Sequence, residues 1–378
     1  VHAPRVGESA VSLTSTTLPV VLALAAAAVF ALLASGRPRV RRPWAATGAR
    51  AAGLLVLNVL VVALVGAELN DHFDFYVSWS DLAGAQAATT VTHHGATARS
   101  AASTRLPSGL RPATSLPALP SPGERVQHYT VTGARSGVRG QVDVLLPAGY
   151  STATATSYPV LEALHGYPGT TDSWLTGMGV EGALDRAVAD HSIKDAVVVL
   201  PQINLPYAVD SECVDGPAGT SQVETWLAQD VPQFVVDHFR VRTDRSSWAV
   251  AGYSEGGWCA AMLGLRHPAV FGGDIVFSGS FTPEFSRGYR PFGSRVPGRY
   301  QLAAVVRRDP PPLAMWVQAS KKDGYAYPPT AAFLKSVRAP LSVTTDLLKT
   351  GGHREQLWAG ELPTALSWLG RSVPGFSP

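Results

Sequence analysis

The 378-residue chain is 46% hydrophobic and 16% charged, against roughly a quarter charged in ordinary soluble proteins, which excludes a wholly disordered chain and a coiled coil. Its net charge of +3 is uneven: residues 1–70 carry +4 and residues 71–378 carry −1. The larger part therefore offers no basic surface of the kind that binds nucleic acid.

From Thr16 to Ser35 and from Ala51 to Ala67 the chain holds no charge, and Asn58 is the one strongly polar side chain of the second stretch. Each approaches the roughly 20 apolar residues that cross a bilayer core. Between them lie Arg37, Arg39, Arg41, Arg42 and Arg50, a loop that the positive-inside rule assigns to the cytoplasm. The expectation is a membrane hairpin over residues 1–70 that meets the lipid bilayer through residues 16–35 and 51–67. Everything after Asn70 is then extracytoplasmic, in a multi-pass cell-membrane protein. A cleaved signal peptide would carry its positive charge before the apolar core and lack a second span; two buried core helices would show a polar stripe.

Residues 71–124 read as a juxtamembrane segment and a linker. Phe73, Phe75, Tyr76 and Trp79 interleave with Asp71, Asp74 and Asp81, the pattern of an interfacial aromatic belt or of an ordinary amphipathic stretch. From about Ala85 to Gly123 the chain is rich in Ala, Thr, Ser and Pro, which cannot bury a core and reads as extended linker. His93 and His94 lie in it without a partner ligand at a recognised metal spacing.

Residues 125–378 read as one catalytic domain. Val126 to Val131 and Gln141 to Leu146 alternate like an antiparallel pair. Near-continuous apolar strands follow at 159–164, 196–200, 248–252, 275–278, 313–318 and 341–345, separated by helical stretches near 180–189, 223–238, 256–266, 330–337 and 361–369. That alternation predicts an α/β fold, a mostly parallel sheet with helices on both faces.

The string AGYSEGGW matches G-x-S-x-G from Gly252 to Gly256, with Ser254 at its centre. It falls between a predicted strand and a predicted helix, where the nucleophile elbow of an α/β hydrolase belongs. A phosphate loop would need a Lys that is missing here. A serine hydroxyl attacks only when a base takes its proton and a carboxylate orients that base. In the order Ser, acid, His, His353 in GGHREQLW is the expected base, and Asp323, just past the strand at 313–318, the expected acid. Asp346 lies too close along its strand to reach back, and Asp309 precedes its strand. Backbone N–H groups must hold the developing oxyanion. Those of Glu255 and of Tyr167, in the loop LHGYPG, are the candidates, with His165 and Gly166 shaping the turn.

These residues together resemble the putative-esterase family of α/β hydrolases, which includes esterase D and the mycolyltransferases (antigen 85 proteins). The resemblance covers about Arg125 to Leu369 and rests on LHGYPG, VETWLAQDVPQFV, AGYSEGGW, Asp323 and GGH. It implies an α/β-hydrolase fold, Ser254 as nucleophile, Asp323 and His353 as its partners, and the Tyr167 and Glu255 amides as oxyanion hole. Mycolyltransferases differ at the first loop and lack a membrane hairpin.

The two cysteines, Cys213 and Cys259, are expected to pair as a disulfide if the domain is exported. No cofactor or metal site is read from the chain. The expected activity is a membrane-anchored serine esterase acting on an ester or acyl-lipid substrate. An acyltransferase delivering the acyl chain to a sugar or glycolipid hydroxyl stays open, as does a non-catalytic envelope-binding module. Trp174, Trp226 and Tyr325 are equally readable as pocket lining or core.

Overall fold

A computed structural model describes residues 12–35, 43–84, 88–106, 109–153, 155–207 and 209–378. The chain divides into two compact units, residues 1–87 with 350–354 and residues 88–349 with 355–378. The loop arginines Arg37, Arg39, Arg41 and Arg42 lie outside the described residues.

The first unit is built on two helices, Thr17–Ser35 and Pro43–Phe73, with mean hydropathies of 2.5 and 2.3 over their most apolar windows. At 1.5 Å per residue they extend about 28 and 46 Å, enough to cross a bilayer core of roughly 30 Å. Their apolar side chains face outward, Leu32 being 71% and Val62 72% exposed. The first helix also meets the description of a signal sequence. The second begins earlier than its uncharged stretch and takes in Arg50. Asn58 Nδ2 donates within it to the Leu54 carbonyl at 3.0 Å, which meets part of its amide's demand in an apolar setting. The helices touch where Gly53 has no side chain: a Cβ there would meet Leu33 at 2.6 Å. Asn70 fastens the turn that follows, exchanging hydrogen bonds with the Tyr76 backbone at 2.9 and 2.8 Å.

The second unit holds a nine-stranded sheet: β1 (Thr89–Gly95), β2 (Val126–Thr132), β3 (Arg139–Leu145), β4 (Val160–Leu164), β5 (Val197–Pro201), β6 (Trp248–Tyr253), β7 (Gly273–Phe277), β8 (Ala314–Ser320) and β9 (Ser342–Leu348). Their spatial order is β1-β9-β8-β7-β6-β4-β5-β3-β2. The six strands from β5 to β9 in that row run parallel, while β1 at one end and β3 and β2 at the other pair antiparallel. Alternation within strands divides the core between the two faces. On β6, Trp248 and Val250 join the cluster around Trp226 and Trp258, while Ala249 and Ala251 join the cluster around Trp174 and Leu366.

The linker expectation needs correction between residues 89 and 103. Thr89–Gly95 forms β1, paired in register with β9 from Thr89↔Leu348 to Gly95↔Ser342. Ala98–Ser103 forms a short helix in which Ala101 and Ala102 are 2% and 0% exposed. β1 carries β-branched residues but almost no apolar ones, because an edge strand needs the ladder rather than a buried face. His93 is held by the sheet, its Nδ1 3.0 Å from Thr344 Oγ1.

Candidate active site

Ser254 stands between β6 and the helix Glu255–Arg266 with φ 56° and ψ −121°, a backbone conformation that costs a non-glycine residue free energy and persists only when its surroundings enforce it. Its amide donates to the Phe277 carbonyl of β7 at 3.0 Å, and its carbonyl accepts from the Gly257 and Trp258 amides at 3.0 and 3.1 Å. Neighbouring side chains are excluded by distance. A Cβ at Gly252 would lie 1.9 Å from the Gly256 carbonyl oxygen, and one at Gly256 would lie 2.3 and 2.4 Å from those of Leu164 and His165. The glycines thus let the elbow approach the backbone that leaves β4.

That backbone is the turn His165, Gly166, Tyr167. His165 is 1% exposed. Its Nδ1 lies 2.8 Å from the Gly166 carbonyl and its Nε2 accepts the Ile203 amide at 3.3 Å, a network that assigns the proton to Nδ1. Burial lowers its pKa to about 4, against the opposing bond to Gly166, so the ring is a neutral brace. A Cβ on Gly166 would sit 3.2 Å from the Ser254 Cβ, which puts the turn directly against the serine. Tyr167 is 42% exposed and lines a groove of about 650 Å³ with Val209, Asp210, Ser286, Arg287 and Tyr289. The Glu255 amide belongs to the first turn of its helix, where backbone N–H groups lack an intrahelical acceptor and suit an anion.

Asp323 follows β8 and is 1% exposed. Its Oδ1 accepts the amides of Tyr325 and Ala326 at 3.1 and 2.9 Å, and its own amide donates to Ser320 at 3.0 Å, so backbone fixes the carboxylate. The turn after β4, Ser254 and Asp323 all follow the carboxyl ends of parallel strands, where open α/β sheets gather functional groups. His353 lies in the other compact unit. Its amide donates to the Asp74 carbonyl at 2.8 Å, Gly352 has no room for a Cβ against the Phe75 carbonyl at 2.0 Å, and Arg354 grips the buried Asp81 with two bonds of 2.6 and 3.0 Å.

Cys213 and Cys259 are bonded, with Cα atoms 5.6 Å apart, so the loop after β5 is tied to the helix behind the serine. Trp174 and Trp226 are fully buried core; Tyr325 is part-buried, two residues beyond Asp323. Sequence reading did not find the buried acids of this loop and of the helix it is tied to. Glu212 and the Glu255 side chain are 0% and 2% exposed. Burial, then repulsion by Asp210, pushes both carboxyls well above the ordinary range, and at Glu255 a hydrogen bond to Asp210 and the charge of Glu212 add to the rise. They come from separate segments with no common spacing, so no motif announces them. Among the described residues, the metal-like donor group is Cys213, Glu255 and Cys259, and its sulfurs are consumed by the disulfide.

A family model described as putative esterase matches residues 134–368. An uncharacterized protein of Corynebacterium glutamicum is 25% identical over 244 residues, covering 60% of this chain and 56% of that protein. An endo-1,4-beta-xylanase/feruloyl esterase of Xylanibacter ruminicola is 26% identical over 166 residues, covering 42% of this chain and 22% of that protein. The chain thus spans about half the length of the first relative and about a fifth of the second. Among solved structures, a ferulic acid esterase superposes with a TM-score of 0.54 at 22% identity over 65% of this chain and 98% of its own. An S-formylglutathione hydrolase from Agrobacterium tumefaciens does so at 0.54 and 16% over 66% and 95%. At these identities the likeness is one of fold.

Proposed function

The chain belongs to the putative-esterase family of α/β hydrolases, and from that premise we propose that it is a serine esterase cleaving a carboxylic ester through Ser254, Asp323 and His353. Ser254 Oγ attacks the ester carbonyl while His353 takes its proton. The amides of Tyr167 and Glu255 hold the oxyanion, the alcohol leaves with the proton returned by His353, and water then releases the acid from the acyl-serine by the same steps. Asp323 keeps the imidazole oriented and stabilises its charged form. The observation that carries this reading is the enforced backbone of Ser254, a cost that ordinary packing has no use for.

Two further features support an anchored enzyme working outside the cytoplasm. Its two apolar helices are long enough to span, and the bridged cysteines suit an oxidising compartment. The test is fluorophosphonate labelling of the full chain in membranes. The reading expects one labelled serine, lost in Ser254→Ala together with a fall in ester hydrolysis of about 10⁴-fold or more. Undiminished labelling of Ser254→Ala overturns it.

A further inference from the structure

β1 does more than extend the sheet. Its register with β9, and that of β9 with β8, sets side chains in rows across three strands: His93, Thr344 and Trp316 in one, Val91, Asp346 and Gln318 in the next. Side chains paired in this way share a face of the sheet, the one on which Trp316 packs in a common cluster with Trp368 of the helix Glu355–Ser372. A cavity of about 600 Å³ opens there, its wall including His93, Thr344, Asp346, Trp316, Trp368 and Arg371. It lies wholly within the sheet unit. β9 stands three strands from the serine's β6, roughly 14 Å at the usual spacing. The family model, which matches residues 134–368, includes neither β1 nor Arg371.

The wall carries an unmet polar demand. Asp346 is 2% exposed. Its side chain has a hydrogen bond with Thr89, yet its Oδ1 is buried without a partner among the described residues, as are both amide atoms of Gln318 beside it in the row. A buried polar atom left unpaired is costly, and this one belongs to a residue that a ligand in the cavity can reach. Thr344 Oγ1 accepts Trp368 Nε1 at 3.2 Å and lies 3.0 Å from His93 Nδ1. Its own proton then serves Nδ1, which places the His93 ring proton on Nε2 as a donor. Arg371, exposed at the end of its helix, keeps the wall from being uniformly acidic.

We propose that this cavity binds a neutral saccharide of one or two rings. A sugar hydroxyl both donates and accepts, so it pairs with Asp346 in either protonation state, whereas an ammonium suits only the carboxylate. The distinction matters because burial raises the Asp346 pKa against the opposing bond from Thr89. The C–H faces of a sugar ring suit the tryptophan side of the wall, and the volume lies within the roughly 300–1,000 Å³ of small-molecule sites. Among the described residues Asp346 belongs to no close group of three metal-type donors. The inference stands apart from the serine-esterase reading, since no part of it uses Ser254.

The full chain, held in a polyoxyethylene detergent that has no sugar head group, is titrated with glucose, galactose, mannose, maltose and cellobiose by saturation-transfer NMR and by indole fluorescence. At least one should bind with a Kd of about 1 mM or tighter. Thr364→Trp, at an exposed helix position in the cavity wall, should abolish binding by filling the space. Asp346→Ala should weaken it about ten-fold, the scale of one hydrogen bond to a carboxyl. Circular dichroism checks that each variant folds, and Thr364→Trp decides alone if Asp346→Ala does not. Absence of binding by all these sugars at about 10 mM overturns the site, as does binding that survives Thr364→Trp, because the sugar then sits elsewhere. Asp346-dependent binding of calcium or putrescine without any sugar overturns it in favour of a cation. Sugar binding that meets these expectations while Ser254 fails to label with fluorophosphonate upholds this site and sinks the esterase reading alone.

Discussion

His165 and Glu162 lie three residues apart, at the end of β4 and within it, and they set opposite pH limits. The folded His165 has a pKa of about 4 against about 6.5 unfolded. Its neutral form is matched in both states above pH 6.5, and stability falls as pH drops from there toward 4, by about 3 kcal/mol in total. Glu162 is fully buried with both oxygens unpartnered, and burial holds its carboxyl well above the usual range. It stays protonated in the fold, so its contribution is complete below the unfolded pKa near 4.5 and declines as pH rises. Urea unfolding from pH 4 to 9 should therefore peak in mildly acidic solution. His165→Asn should flatten the acid limb and Glu162→Gln the alkaline one. A limb unchanged by its substitution would refute the assignment.

At the scale of elements, the first helix of the sheet unit shows how a segment without apolar patterning is kept in place. Ala98–Ser103 is too short to be stable alone. Arg245, 2% exposed, reaches across to donate to the carbonyls of Ala101, Ala102 and Thr104 at 3.2, 2.9 and 2.9 Å, and also to Phe271 at 3.1 Å. Burial lowers its pKa to about 10, which leaves it charged at neutral pH and dependent on those oxygens. Arg245→Met should cost about 3 kcal/mol or more, by stranding the carbonyls. The loss is readable in the urea midpoint, and faster amide exchange is expected over residues 98–104. The same helix marks the limit of what the sequence discloses. The elbow is legible because its glycines and serine are adjacent and their spacing is the geometry. The parallel strands are legible because burial on both faces makes them apolar throughout. β1 and the helix at 98–103 are not legible, because what holds them is the β9 ladder and Arg245, about 250 and over 140 residues away respectively. The acids at 210, 212 and 255 are hidden for the same reason.

For the whole molecule, the division into units runs against the order of the chain. A boundary drawn from composition near residue 124 assigns everything after it to catalysis, yet residues 350–354 pack with the segment that follows the apolar helices. There the buried Asp81 holds Arg354 at 2.6 Å, and Asp74 holds the His353 amide at 2.8 Å. Substituting Asp81→Asn should lower kcat for ester hydrolysis several-fold, on the scale of a buried charged pair weakened but still hydrogen-bonded. Ser254 should keep its fluorophosphonate accessibility and overall stability should change less than activity. An unaltered kcat would argue that the loop needs no such fastening.

That ion pair has a practical meaning for anyone preparing the enzyme. A soluble fragment beginning at the sheet, the natural choice for expression and crystallisation, would retain the serine and the acid while discarding the residues that fasten the histidine loop. On the proposed triad it would be inactive, and that inactivity would be mistaken for the absence of a substrate. A chain worth assaying therefore keeps both apolar helices, and a screen for substrates belongs in detergent or lipid.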